Sequence, residues 1–202
     1  MNPEQYEILD RVLEQPVLKR DLFPDPVVIE SVELLRDRKS FICRVRSTDG
    51  AEGVSIGHPF ISLESYPVFV NALIPFFTGK DARDLDALLH EVAESQVKKQ
   101  GVPFCVQLAT LEFAILDMLG NIAEKPAGLV IGDLLNPEVD IYLGHLLPQL
   151  RNLEPEISLG MMDESRIETQ AKAIKLRAGR GDNLASDIDN APGRTEKLIR
   201  MA

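Results

Sequence analysis

Two alternating runs on either side of Asp49-Gly50 limit the possible fold of this chain most strongly. Apolar and polar residues alternate over residues 41–46 before the pair and over residues 54–56 after it. A period of two predicts half-buried strands. Asp-Gly between such runs is typical of a type I′ hairpin turn. Because an earlier run at residues 28–34 alternates roughly in the same way, residues 27–57 are predicted to form a three-stranded antiparallel meander.

Helical spacing replaces the alternation after the meander. Apolar residues recur at i, i+3, i+4 and i+7 from Val70 to Phe77 and again from Leu85 to Val92, which predicts two amphipathic helices. Pro67 lies near the predicted start of the first helix, and Asp81 is placed to cap the second.

Residues 104–123 are apolar on nearly every side, which predicts a central helix packed against several neighbours. Glu112 and Asp117 interrupt this segment, so it lacks the charge-free run that a membrane span requires. A buried carboxylate needs a polar partner, so both are expected to be anchors between packed elements and not catalytic groups.

The pattern changes once more after residue 136. A short apolar strand at 139–144, a polar helical stretch at about 148–170, a second strand at 171–179, a loop rich in Gly, Asn and Asp, and the start of a helix follow in order. Strand, helix, strand, loop and helix are typical of a parallel sheet or barrel.

Composition narrows the class of protein. The net charge of −10 argues against nucleic acid and anionic membranes as partners. The polar, acidic N-terminus is neither a signal nor a transit peptide. Cys43 and Cys105 lie in apolar contexts without a CxxC motif or a nearby His, which favours two buried free thiols over a disulfide or a metal site. A soluble, cytoplasmic protein is therefore expected.

The order of these elements resembles the mandelate racemase/muconate lactonizing enzyme branch of the enolase superfamily. The resemblance rests on VIESVELLR…FICRVRSTDGAEGVSIG, on LATLEFAILDMLGNIAEKPAGLVIG, on VDIYLG, and on AKAIKLRAG with GRTEKLI beyond it. No single segment is specific, and the specificity comes from their order and spacing.

The resemblance implies an α+β capping domain followed by the first two β/α units of an incomplete TIM-type barrel. Residues 1–26 are then an N-terminal extension, residues 27–135 the capping domain, and residues 139–202 the truncated start of the barrel. A complete barrel has eight strands in about 250 residues, whereas 202 residues are present. The sequence is therefore expected to be the N-terminal part of an enzyme.

The resemblance also implies catalytic roles on the second barrel strand. Many relatives carry Lys-x-Lys there, and this chain has Lys175 and Arg177 at the matching positions. Alternation along a strand would place both on one face, towards the barrel interior. Arg is not a base at ordinary pH but can hold a carboxylate with two hydrogen bonds. Lys175 is thus the expected proton carrier and Arg177 an anion clamp. By itself, Lys-x-Arg more often marks a solvated face.

Two histidines are candidate substrate-binding residues. His58 follows the third strand, where relatives have a loop over the active site, and His145 follows the first barrel strand, at the functional end of such barrels. An exposed loop histidine is the alternative for each. The resemblance implies Mg²⁺ in the complete enzyme, held by carboxylates on later strands, so no metal ligand is predicted in this chain.

The predicted function is abstraction of a proton alpha to a carboxylate, as in an acid-sugar dehydratase, by an enzyme of which this fragment alone would be inactive. A racemase or cycloisomerase of the same branch is one alternative, and a non-catalytic capping, oligomerisation or ligand-binding module is another. The expected partners are a small carboxylate substrate such as an acid sugar, and either a second copy of the chain or a missing C-terminal half.

Overall fold

A computed structural model describes residues 3–13, 15–143 and 155–174, together with residues 193, 196, 197 and 200. The chain divides into two compact units, residues 1–135 and residues 136–202.

A three-stranded antiparallel sheet forms the first layer of the N-terminal unit. Strands β1 (Ile29–Asp37), β2 (Ser40–Ser47) and β3 (Glu52–Gly57) follow one another in chain order. Residues on β2 alternate between the buried and the outer face, with Phe41, Cys43 and Val45 buried. The predicted meander is confirmed.

The turn between β2 and β3 differs from the prediction. The amide of Ser47 donates to the carbonyl of Ala51 at 2.9 Å, which closes a three-residue loop. Gly50 has a φ of +91°, whereas Asp49 is not in the left-handed region. A type I′ turn needs positive φ at both central residues, so the predicted type I′ turn is wrong. A single left-handed glycine allows the longer loop.

Helices form the second layer of this unit. They are α1 (Pro3–Leu13), α2 (Pro59–Val68), α3 (Ile74–Phe77), α4 (Leu85–Ser95), α5 (Val102–Ala123) and α6 (Ala127–Ile131). A π-helical turn, Phe69–Leu73, joins α2 to α3, and 3₁₀ turns cover Arg20–Leu22, Ala82–Asp84 and Val97–Lys99. The predicted start near Pro67 is wrong, because α2 begins at Pro59 and contains Pro67. A proline at the first helical position suits a helix start, since its missing N–H would have no intrahelical partner.

Helix α4 begins after Asp84, whose side chain forms no capping hydrogen bond, so the prediction that Asp81 caps this helix is wrong. Asp81 instead caps the 3₁₀ turn Ala82–Asp84 directly before α4. Its carboxylate accepts the amide of Arg83 at 3.0 Å, and also the amide of Val27 at 3.1 Å. The same segment continues along the beginning of β1, where the amide of Ile29 donates to Lys80 and the carbonyl of Ile29 accepts from Gly79. Asp81 therefore holds the start of the sheet to the segment that precedes α4.

Helix α5 lies directly against β3, and Gly53 makes this close approach possible. A Cβ atom at Gly53 would lie 2.2 Å from both the carbonyl oxygen of Ala114 and the amide nitrogen of Met118. Real Cβ atoms do not come this close to backbone atoms. The strand and the helix backbone can therefore meet only with glycine at this position.

Side chains of α5 also satisfy the free edge of β3. The amide of Val54 donates to Asp117 at 2.8 Å, and Asn121 donates to the carbonyl of Glu52 at 2.9 Å. Ser55 adds a bond from its hydroxyl to the carbonyl of Thr110 at 2.5 Å. Asp117 is thus an anchor between packed elements, as predicted from its place within an apolar segment.

Two helical stretches, Pro59–Phe77 and Val102–Ala123, are long and apolar enough to cross a membrane by length and composition alone. Both supply core residues of the N-terminal unit, such as Phe69, Leu73, Leu111 and Met118. This packing agrees with a soluble protein, and the cytoplasmic compartment remains a prediction.

The second unit contains two short parallel strands joined through a helix. Strand β4 (Tyr142–Leu143) pairs in parallel with β5 (Ala173–Ile174), and helix α7 (Pro155–Thr169) lies between them in the chain. Parallel neighbours require such a crossover. The described residues thus include one β–α–β segment, and the further barrel architecture stays a prediction.

Replacing Gly53 by Ala should destabilise the N-terminal unit by at least about 2 kcal/mol, because helix and strand must separate to admit the methyl group. Thermal unfolding followed by circular dichroism measures the change. Gly128→Ala is the matched control, since a Cβ there meets nothing within 4 Å and alanine favours the helix. Equal stability of Gly53→Ala and the unmodified chain would show that β3 and α5 do not pack in this way.

Candidate functional site

One end of the sheet gathers basic side chains. The β1–β2 turn at Arg38 and Lys39 lies at this end, and β3 finishes there because Gly57 pairs with Phe41. His58 follows Gly57 directly. We call Arg36, Arg38 and Lys39, with Asp37 between them and His58 beside them, the cationic end of the sheet.

Arg36 is held in place by two contacts. Its guanidinium carbon lies 5.5 Å from the centroid of the Phe41 ring, and its Nε donates to the carbonyl of Arg38 at 2.9 Å. No ion pair with Arg36, Arg38 or Lys39 occurs among the residues that the structure describes. In a chain of net charge −10, this end of the sheet is suited to attract a small anion such as a carboxylate.

His58 caps helix α2. Its Nδ1 accepts the amides of Phe60 at 3.3 Å and of Ile61 at 3.2 Å. The residue is exposed, so the ring keeps an accessible Nε2. The structure gives His58 a capping role, and its predicted contact with substrate stays a prediction.

Sequence reasoning missed the other members of the cationic end. The run Arg36-Asp37-Arg38-Lys39 was visible in the sequence. Its proximity to His58 follows from the strand register, which places the β1–β2 turn and the end of β3 at the same end of the sheet. A two-residue turn between β2 and β3 would have placed them there as well.

Glu112 is a half-buried carboxylate on α5. Desolvation raises its pKa above the usual 4.5, and the nearby charge of Asp86 raises it further. Asp86 is itself engaged, since one of its oxygens accepts the amides of Val17 at 2.9 Å and Leu18 at 3.3 Å. Asp86 thus holds the N-terminal connector to α4. Its negative charge lies close enough to Glu112 to disfavour the ionised form of that carboxylate. Among the described residues, Glu112 has no hydrogen-bond or ion-pair partner, so its expected role as a polar anchor stays a prediction.

An open pocket of about 510 Å³ lies at the other end of α5 and is lined by Asp117, Gly120, Asn121, Glu124, Lys125, Pro126 and Ala127. Asn121 is bonded to Glu52, at the beginning of β3, whereas His58 follows the end of that strand. The pocket therefore contains none of the predicted site residues.

The remaining predicted site residues fall outside the described ranges. Lys175 and Arg177 follow β5 directly, and His145 follows β4 by two residues, but the structure describes none of the three. Their roles stay predictions.

Both cysteines were predicted to be buried, and the prediction is confirmed for one of them and wrong for the other. Cys43 is buried, and desolvation raises the pKa of its thiol to about 12. Cys105 is exposed, because its side of α5 is not covered within the N-terminal unit.

Metal ligands are not assembled in the described parts of the chain. No three His, Cys, Asp or Glu side chains lie close enough together there to hold a metal ion. The described residues thus form no site for the magnesium that the resemblance implies for the complete enzyme, whose ligands are expected on later strands.

Comparison with known proteins places this fold. No family model and no curated protein matches the chain. A crystal structure from Roseobacter denitrificans, provisionally named a racemase, is 26% identical with a TM-score of 0.74 and covers 85% of this chain. A mandelate racemase/muconate lactonizing protein from Paracoccus denitrificans, complexed with magnesium, is 20% identical with a TM-score of 0.63 and covers 73%.

A third structure, from Agrobacterium radiobacter, is provisionally named a galactarate dehydratase and holds sodium and L-malate. It is 18% identical with a TM-score of 0.65 and covers 77% of this chain. The chain spans only 45%, 41% and 39% of the lengths of these three proteins. The predicted resemblance to mandelate racemase/muconate lactonizing proteins is confirmed at the level of the fold, and the sheet with its helices matches the capping domain.

Replacing His58 by Ala should lower the stability of the N-terminal unit by about 0.5–2 kcal/mol, because the first amides of α2 lose their acceptor. Replacing it by Asn should retain most of that stability, since asparagine is a strong N-cap. Urea unfolding measures both changes. Equal losses in His58→Ala and His58→Asn would contradict the capping role.

Replacing Glu112 by Gln should stabilise the unit at neutral pH. A raised pKa in the folded state means that folding disfavours the ionised carboxylate, so the penalty is absent below pH 4.5. It grows as the pH rises from there to the raised folded-state pKa. Thermal unfolding across this range should therefore show a gain that disappears on acidification. Glu94→Gln, at an exposed position of α4, is the control and should show no such gain.

Proposed function

We propose that this chain is the N-terminal part of an enolase-superfamily enzyme that abstracts a proton alpha to a carboxylate, with an acid sugar as substrate and dehydration as the reaction. In the proposed protein, residues 27–135 are the capping domain. Residues 139–202 open a (β/α) barrel, and the complete enzyme uses Mg²⁺.

The order of the elements is the observation that supports this proposal. An antiparallel meander, a long apolar helix on its edge strand, and a parallel β–α–β segment follow one another, and a structure provisionally named a racemase aligns over 85% of the chain. Fold alone does not determine chemistry, so the residues that would carry the reaction decide between the candidate functions.

Lys175 and Arg177 are the proposed reacting groups. Both positions have the same parity in the predicted strand 171–179, so both would point to one side of it. Lys175 is the group that moves the proton, and Arg177 holds the substrate carboxylate with two hydrogen bonds. An arginine in place of a second lysine leaves one amine on this face of the strand, since Lys172 has the opposite parity. This suits a reaction with a base on one side of the substrate more than racemisation, which needs a base on each side.

Dehydration of an acid sugar fits this arrangement in atoms and charge. A base removes the α-proton, the β-hydroxyl group accepts a proton and leaves as water, and the enol formed tautomerises to an α-keto acid. The dehydratase name of the Agrobacterium structure is a further reason to test this reaction first. The matched structures include one with magnesium and one with sodium, which agrees with a metal-dependent enzyme.

A non-catalytic capping or ligand-binding module is the second candidate. It is favoured by the cationic end of the sheet, which would bind an anion without chemistry. On this alternative the chain would bind a carboxylate ligand without turnover.

The coding region after the Ala202 codon provides the first test. We expect it to encode, in frame or in an adjacent frame, further strands that end in Asp or Glu. The protein encoded by both regions is then incubated with a panel of acid sugars and Mg²⁺, and α-keto acid formation is followed as its semicarbazone. Exchange of the α-proton in D₂O without loss of water would instead indicate a racemase. If neither proton exchange nor product is observed, the result would favour the non-catalytic module.

Replacing Lys175 by Ala in that protein should lower kcat by about 10²–10⁴, because the positioned proton carrier is lost. Lys175→Arg should be equally slow, since arginine keeps the charge but does not accept a proton. Lys172→Ala is the control, because Lys172 is exposed and has the opposite parity on the strand. Steady-state kinetics distinguish these outcomes, and full activity in Lys175→Ala would exclude the proposed role.

A further inference from the structure

The two edges of the sheet are finished in different ways. At β3, the amide of Val54 donates to Asp117, so Val54 does not exchange backbone hydrogen bonds with its partner Arg44 on β2. In an antiparallel sheet the backbone groups of Arg44 then point towards β1, where Glu33 is its partner. The backbone groups of Glu33 therefore point towards β2. Because these groups point to opposite sides of the strand at successive residues, the direction at every other residue of β1 follows.

Backbone groups of Val32, Leu34 and Arg36 therefore point away from β2, towards the outer edge of β1. The segment at Gly79 and Lys80 covers this edge only as far as Ile29. Beyond Ile29, none of these three residues forms a backbone hydrogen bond across that edge to another described residue. We call residues 32–36 the open edge. Unpaired strand edges readily pair with another strand, whereas α5 closes the edge of β3.

Charge is distributed unevenly along the open edge. Glu30 and Glu33 lie towards its N-terminal end, whereas Arg36, Arg38 and Lys39, with the single carboxylate of Asp37 among them, lie towards its C-terminal end. Two copies of the strand placed antiparallel would bring the acidic end of each against the basic end of the other. The edge is thus electrostatically complementary to itself.

We propose that the open edge pairs antiparallel with the same edge of a second copy of this chain, about a two-fold axis at Leu34. Val32 then lies opposite Arg36 of the second copy, and Leu34 opposite its own counterpart. Each of these pairs exchanges two backbone hydrogen bonds. A two-fold interface between identical surfaces is the commonest form of protein dimer. This inference concerns assembly and does not depend on the proposed reaction.

Charge selects this register over its neighbours. An axis at Glu33 would place Glu33 opposite Glu33, and an axis at Leu35 would place Glu33 opposite Asp37. Directly opposed like charges destabilise a strand pair. With the axis at Leu34, Glu33 lies opposite Leu35 and is neutralised within its own sheet by Arg44, at 2.7 Å. Glu30 then reaches the Arg38 end of the second copy.

Cysteine cross-linking tests the register directly. Glu33→Cys and Leu35→Cys are made separately in a Cys105→Ser background, which leaves only the buried Cys43 with its raised pKa. Residues 33 and 35 of the two copies lie opposite each other in the proposed register, within disulfide distance. Oxidation of an equimolar mixture of the two variants should therefore give a cross-linked heterodimer in at least 10-fold excess over either homodimer. Different tags identify the products.

Glu52→Cys and Ile56→Cys, at the closed edge of β3, are the matched control pair and should not cross-link. A homodimer of Glu33→Cys or Leu35→Cys as the main product would overturn the register. Equal cross-linking of all pairs, or of none, would overturn the proposed interface.

Hydrogen exchange tests the unmodified chain. The amides of Val32, Leu34 and Arg36 should exchange at least 10-fold more slowly at a concentration where light scattering finds the dimer than after dilution to the monomer. Other amides of β1 should change little. Exchange at these three amides that does not depend on concentration, or a monomer at all concentrations, would contradict the proposal. Protection at every concentration in a monomer would instead indicate another segment on this edge and would also overturn it.

Discussion

The contact between β3 and α5 at Gly53 is the constraint on which the rest of the N-terminal unit depends. The absence of a side chain lets the strand touch the helix backbone, and only at this distance can short side chains such as Asp117 and Asn121 reach the strand edge. The same approach buries Cys43 and Val45 of the neighbouring strand against the helix layer. One glycine thus determines the layer spacing, the closure of one edge and part of the core.

Much of this fold could be predicted, because period and order are properties of the sequence itself. Alternation located the strands, and the apolar character of α5 indicated its central position. Details that depend on neighbours could not be predicted. Gly50 suits either a two-residue turn or a three-residue loop, and Ile56 fits the strand pattern although it is 84% exposed. Helical spacing around Val70 likewise gave no sign that the helix begins at Pro59.

The candidate site divides in the same way. His58 could be singled out from its place after a strand, but its capping bonds depend on the backbone of the following turn. The clustering of Arg36, Arg38 and Lys39 with His58 depends on which residues face one another across β1, β2 and β3. Lys175 was identified only through the resemblance, since Lys-x-Arg by itself is usually a solvated strand face.

The different treatment of the two sheet edges links assembly to the cationic end. Because α5 closes β3, the sheet can be extended only through β1. Antiparallel extension there directs the cationic ends of two copies to opposite ends of the joined sheet. Each Arg38 then meets Glu30 of the other copy, whereas His58 lies on the far side of the sheet, after the closed strand. The proposed dimer would therefore neutralise part of the positive charge of each cationic end and would leave His58 accessible.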